Sequence, residues 1–134
     1  MKIINSSDYV DHAESVIKKL KAKTNPKTGR PVAMVTTSKI RNLLAMTDDI
    51  YNEVTNLQEE RLSEEIKSRI EYLRVRFIYE CGRDREQTVR DFVEEAGIIE
   101  ILKSLDGTRK DYILFTRYME SLVAFHKYYG GKDN

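Results

Sequence analysis

Apolar residues return every three or four positions along almost the whole chain, and only two prolines interrupt it. That period places side chains on one face of an α-helix. No stretch alternates with the period of two that a half-buried strand requires. A first helix is predicted from Ser7 to Lys23, with Val10, Ala13, Val16, Ile17 and Leu20 inward. Asn25-Pro26 and Thr28-Gly29-Arg30-Pro31 break it. A second starts near Thr36 or Thr37, either of which can cap it, and carries Ile40, Leu43, Leu44, Ile50, Tyr51, Val54 and Leu57. A third begins near Ser63 with Glu64 and Glu65 in its first turn. Its stripe is Ile66, Ile70, Leu73, Phe77 and Cys81, widened by Val75 and Ile78, and Gly82 marks its end. Asp84 and Gln87 have capping-box spacing and open a fourth helix, in which Gly97 is a point for a bend or break. Thr108 with Asp111 caps the last helix, which Gly130-Gly131 stops. The fold class expected is all-α, a compact bundle of about five helices in one domain, residues 1–134. A flexible loop is expected over about 24–35 and a short tail over 130–134.

A chain of 134 residues can bury a core without disulfide or metal staples. Its longest apolar runs, such as Val32 to Val35, are far too short to span a membrane. Met1 to Asp11 has no apolar signal region, and Cys81 is the only cysteine. A cytoplasmic protein with no internal disulfide is expected.

Hydrolytic and metal chemistry need convergent polar groups. His12 and His126 fall on different predicted helices, and no His-Glu-x-x-His or Cys-x-x-Cys pair exists. No glycine-rich loop runs into Lys-Ser or Lys-Thr. His126 reads as a core-boundary or surface residue, and Cys81 as a small core residue. The expectation is a non-enzyme with no catalytic residue, metal or cofactor.

Net charge is only +1, but its distribution is uneven. Eight basic residues and no acid lie from Lys18 to Arg41, seven acids against Arg61 from Asp48 to Glu65, and a basic balance returns from Lys67 to Arg90. A nearly neutral protein can therefore offer a basic face. Arg69, Arg76 and Arg83 recur every seven residues, with Tyr72 and Tyr79 bordering the row. Guanidinium forks suit phosphate, and aromatic rings add a stacking surface. Lys67 and Arg74 form a neighbouring row. The plain alternative is that the tyrosines edge the core and the arginines pair with acids, Glu80 lying within reach of Arg76. Lys39, Arg41 and Asn42 open the second helix, whose free N–H groups are a natural phosphate site. Lys27, Arg30, Arg117 and Lys127 add further charge.

Three segments together resemble one family, the small subunit of type III-A CRISPR effector (Csm) complexes. They are Thr36–Leu44 (TTSKIRNLL), Tyr72–Arg83 (YLRVRFIYECGR) and Phe115–Gly131 (FTRYMESLVAFHKYYGG). The resemblance covers nearly the whole chain from Tyr9 to Asp133; residues 24–35 carry no motif of it. It implies a small helical protein without catalytic activity, present in several copies as a filament, in antiviral defence. The implied partners are target RNA paired to guide RNA, the backbone and large subunits, and further copies of itself; no membrane is involved. The matching basic positions are Lys39, Arg41, Arg74, Arg76, Arg83, Arg117 and Lys127, with Lys39, Arg41 and Arg76 foremost. The alternative is a helical protein–protein adaptor without direct nucleic-acid contact.

Overall fold

The computed structural model describes residues 3–133. Met1, Lys2 and Asn134, which close the expected domain and its tail, lie outside the described residues. The elements are α1 (Tyr9–Ala22), α2 (Thr37–Thr55), α3 (Glu64–Arg83), α4 (Thr88–Ala96), α5 (Ile98–Ser104) and α6 (Arg109–Tyr128). No strand forms among the described residues, so the all-α expectation holds. The helix count is six rather than about five. Gly97 adopts φ +67°, outside the helical region, a conformation a residue without Cβ takes at little cost. Its N–H closes α4 on Glu94 while its carbonyl opens α5 by accepting from Ile101.

Side-chain caps at the N-cap residue set three of the six helix starts. Thr36 Oγ1 accepts from Lys39 N–H at 3.3 Å, Ser63 Oγ from Ile66 at 3.2 Å and Thr108 Oγ1 from Asp111 at 3.2 Å. The expected capping box at Asp84 and Gln87 is different in form. Gln87 turns left-handed at φ 63°, and α4 begins one residue later. Asp84 ends α3 and reaches over that turn, accepting from Val89 N–H at 2.9 Å and the Thr88 hydroxyl at 2.8 Å.

The last helix is the centre of the core. Tyr112, Phe115, Tyr118, Met119 and Leu122 of α6 are fully buried, and α6 packs chiefly against α2 and α1. Helix α3 lies against α2, α4 and α5. Buried polar groups must find partners, and the two buried phenols do so. Tyr112 donates to the Thr47 carbonyl at 2.8 Å and Tyr118 to that of Ala96 at 2.7 Å. Ala96 ends α4, where carbonyls lack helical partners. Burial holds both phenols well above their ordinary range, so they remain donors.

Three residues expected on buried stripes face outward: Val10, Val75 and Ile78 are all exposed. Helix α3 is apolar around much of its girth, and the core takes only Ile66, Ile70, Leu73 and Phe77. Cys81 packs half-buried against the core, and burial pushes its thiol up. The 24–35 segment folds back on itself, Val32 N–H donating to Lys23 and Asn25 N–H to Arg30.

The chain's end is tied into the bundle. His126 is fully buried, its Nε2 2.6 Å from the Val35 carbonyl and its Nδ1 3.2 Å from the Thr37 hydroxyl. A carbonyl only accepts, so Nε2 carries the proton and Nδ1 is left as the acceptor. Gly131 lies directly on this ring: a Cβ there would fall 2.1 Å from His126 Cε1. Only hydrogen fits. Gly131→Ala is therefore expected to destabilise the protein by about 1–3 kcal/mol through overpacking, read as a lower urea midpoint with an unchanged slope.

Candidate nucleic-acid interface

The start of α2 does not offer free N–H groups. Thr36 supplies the acceptors for Lys39 and Ile40 through its side chain and carbonyl. The carbonyls of Lys132 and Asp133 accept from Thr37 at 2.8 Å and Ser38 at 3.2 Å. The helix end read as a phosphate site is thus closed by the chain's own tail. Any anion binding there must come from side chains.

Helices α2 and α3 run antiparallel, and polar contacts mark their seam. Lys39 Nζ meets Asp84 at 3.0 Å, Asn42 donates to Glu80 at 3.3 Å, and Arg69 pairs with Glu53. Between these contacts lies a hollow of about 210 Å³ lined by Met46, Asp49, Ile50, Arg69, Tyr72, Leu73 and Arg76. The seven-residue row of arginines therefore follows the seam. It does not present three equivalent cations. Arg69 and Arg83 are spent on carboxylates. Arg83, and not Arg76, takes the buried Glu80, at 3.1 Å. Arg76 makes no hydrogen bond or ion pair among the described residues, and it is exposed.

The other expected positions divide similarly. Arg41 is exposed with no hydrogen bond or close ion pair; it feels Asp133 only at longer range. Arg74 pairs with Glu71 at 2.8 Å and Lys127 with Asp133 at 2.7 Å. Asp133 is held below the usual carboxylate range, by Lys127 first. Arg117 is exposed elsewhere, in a hollow with Asn5, Ser6, Tyr9 and Lys110. So Lys39, Arg76 and Arg83 share the α2–α3 seam, and Arg117 does not. Tyr72 and Tyr79 are about 60% exposed, with Val75 and Ile78 beside them, so the tyrosines do not edge the core.

Asp84 is the anchor that sequence reasoning cast only as a cap. Burial alone would raise its pKa, but the Val89 N–H, the Thr88 hydroxyl and Lys39 together bring it to about 2. Lys39 is thereby fixed at the junction of α2, α3 and α4. Among the described residues no group of three or more His, Cys, Asp or Glu is placed to hold a metal ion, and no helix is long and apolar enough to cross a membrane.

The Csm2 type III-A family model matches residues 5–132. The chain belongs to that family. A Streptococcus thermophilus protein described as CRISPR system Cms protein Csm2 is 40% identical over 133 residues, covering 99% of this chain and 100% of the relative. A Mycobacterium tuberculosis protein of the same description is 37% identical over 126 residues, 94% of each chain. One from Enterococcus italicus is 38% identical over 97 residues, 71% of this chain and 68% of the relative. The chain is thus a Csm2 small subunit of a type III-A CRISPR system.

The Asp84 anchor has a pH signature. A carboxyl whose folded pKa is depressed contributes stability above its unfolded value near 3.8, and loses it as pH falls through about 2. Asp84→Asn is expected to cost about 1–2 kcal/mol at neutral pH. Urea unfolding at several pH values should show the gap between wild type and variant closing between about pH 4 and 2.

Proposed function

We propose that this Csm2 subunit is non-catalytic and binds target RNA paired to guide RNA, as one of several copies in a filament within the cytoplasmic effector, in antiviral defence. Its neighbours there are the backbone and large subunits and further copies of itself. The observation that carries the RNA contact is the standing of Arg41 and Arg76. Both are exposed and neither is neutralised by a close carboxylate, while the seam cations Lys39, Arg69 and Arg83 each have one. A guanidinium with no internal partner can hold phosphate without breaking a bond in the fold. Such contacts carry no base readout, so sequence selection falls to guide–target pairing.

Lys39 plays a second part. Its ammonium bridges to Asp84, so it holds the seam together and adds little free charge at the α2 start. Catalysis has no support in side-chain geometry: His126, the one buried histidine, is committed to Val35 and Thr37, and burial lowers its pKa.

One observation favours the adaptor alternative. The outward face of α3 carries Tyr72, Val75, Ile78 and Tyr79, all more than half exposed, an apolar surface better suited to another protein than to phosphate. The two readings share the helix, and one experiment separates them. The effector is assembled with the Arg41→Ala/Arg76→Ala variant and titrated with target RNA at two salt concentrations. Full incorporation with weaker binding is expected. The log–log salt slope should flatten by roughly 0.7–0.9 for each phosphate the variant no longer neutralises. Unchanged affinity and slope in a fully incorporated variant rejects the phosphate contacts; failure to incorporate supports the adaptor. The purified chain is also expected to leave RNA intact with divalent metal present, measured by gel.

A further inference from the structure

The basic run from Lys18 to Arg41 is only partly used by the seam. Its first half reaches the end of the bundle where α1 finishes beside the end of α6. There the Nζ atoms of Lys18 and Lys21 each stand 5.8 Å from the centre of the Tyr129 ring, within cation–π range. Tyr129 is held in place, its hydroxyl donating to Glu14 and its ring stacked on Phe125. Against it, edge-on, sits the ring of Tyr128, with centroids 5.1 Å apart at 80°. Tyr128 is 79% exposed, more than any other large apolar side chain among the described residues.

An open groove of about 860 Å³ starts at Tyr129 and Lys21 and runs past Lys132 to Lys39 at the head of α2. Glu86 is the one acid in its lining. Its wall on the loop side is Pro31, Val32, Ala33 and Met34, which bring no charge of either sign. The groove thus joins the Tyr129 ring, against which the exposed Tyr128 stands, to Lys39 at the head of α2.

Of the two lysines, Lys18 also lies 3.9 Å from Glu14, and Lys21 has no carboxylate partner among the described residues. An exposed ring braced edge-on by a second ring that carries two ammonium groups suits a nucleotide. The ring face stacks a base of any identity, and the lysines take the phosphates on either side. Inside a duplex both faces of a base are covered by its stacked neighbours, so the platform selects unpaired strand. We infer that Tyr128, with Lys18 and Lys21, is a stacking platform for an unpaired nucleotide of bound RNA, from which the strand runs along the groove toward Lys39. This inference rests on the RNA-binding reading above.

The test uses the full chain and a short fluorescein-labelled oligouridylate carrying one 4-thiouridine. Binding is followed by anisotropy, and photocrosslinks are mapped by mass spectrometry. Tyr128→Ala should weaken oligouridylate binding about tenfold, while Tyr128→Phe, which keeps the ring, should bind like wild type. Binding of a fully paired RNA duplex should be untouched by Tyr128→Ala. Crosslinks should map to Tyr128, and Lys18→Ala with Lys21→Ala should flatten the salt slope by roughly 0.7 for each phosphate set free. Tyr128 is exposed, so the variants are expected to fold, as circular dichroism checks. The platform is overturned if the alanine variant binds unchanged or crosslinks lie elsewhere. It is equally overturned if single strand and duplex weaken alike, or if the wild-type chain fails to bind oligouridylate. The assembled effector with Arg41→Ala/Arg76→Ala reports separately. Loss of target binding there beside an unaffected platform assay sinks this inference and leaves the phosphate contacts standing. The reverse pattern keeps the platform and removes those arginines.

Discussion

The hydrogen bond from His126 to the Val35 carbonyl fixes where α2 begins, and the candidate interface hangs on that point. It joins residues 91 apart in sequence. His126 belongs to α6, the helix at the centre of the core, while Val35 stands just before the turn that bears Lys39 and Arg41. An unmade hydrogen bond in a buried place costs about 1–3 kcal/mol, so ring and carbonyl hold each other firmly. Burial keeps the imidazole below its ordinary pKa, and folding therefore favours the neutral ring. Its contribution is whole above the ordinary imidazole range and fades as pH falls through it.

The same joint orders the chain's end. Gly131 passes over the imidazole with no room for a side chain, and the next two carbonyls satisfy the first N–H groups of α2. A helix N-terminus with its donors already used attracts anions less than a bare one does. The positive character of this region thus lies in side chains that can move, and less in a rigid backbone cradle. That suits contact with a phosphate backbone, where position matters and base identity does not.

Helix stripes were legible because burial repeats every three to four residues on α1, α2 and α6. The stops at Asn25-Pro26 and Gly130-Gly131 and the caps at Ser63 and Thr108 were legible because they are local. What escaped was set at long range or by facing. Val75 and Ile78 look like core residues by composition, yet only one side of α3 meets α4 and α5. Gly97 was visible as a weak point, but its positive φ, which makes two helices of one, was not. The seven-residue arginine row was real as geometry. Its division into paired Arg69 and Arg83 and unpaired Arg76 depends on Glu53, on α2, and on Glu80, which Asn42 of α2 helps hold. No spacing rule within α3 could announce Glu53. The occupied start of α2 was hidden for the same reason, since its partners sit at the far end of the chain.

On the proposed reading, the ion pairs bear on how a chain of net charge +1 serves as a polyanion-binding part. Most cations of the seam are matched by carboxylates placed to fix helices, so they stabilise the fold and add little free field. An exposed pair such as Arg69–Glu53 is worth under about 1 kcal/mol; the contacts made on the mostly buried carboxylates of Asp84 and Glu80 by Lys39 and Asn42 hold α2 against α3 more firmly. Along the seam only Arg76 remains to meet RNA, so on the proposed reading one copy binds weakly there and salt weakens it further. Repetition changes that balance. When copies sit in a row on one RNA, each further copy binds at high effective concentration, and weak sites sum to a strong one. A subunit with a strongly basic surface would bind any RNA alone. One whose contact seam has most of its cations tied up internally binds well, on that reading, only where other copies and a guide already stand.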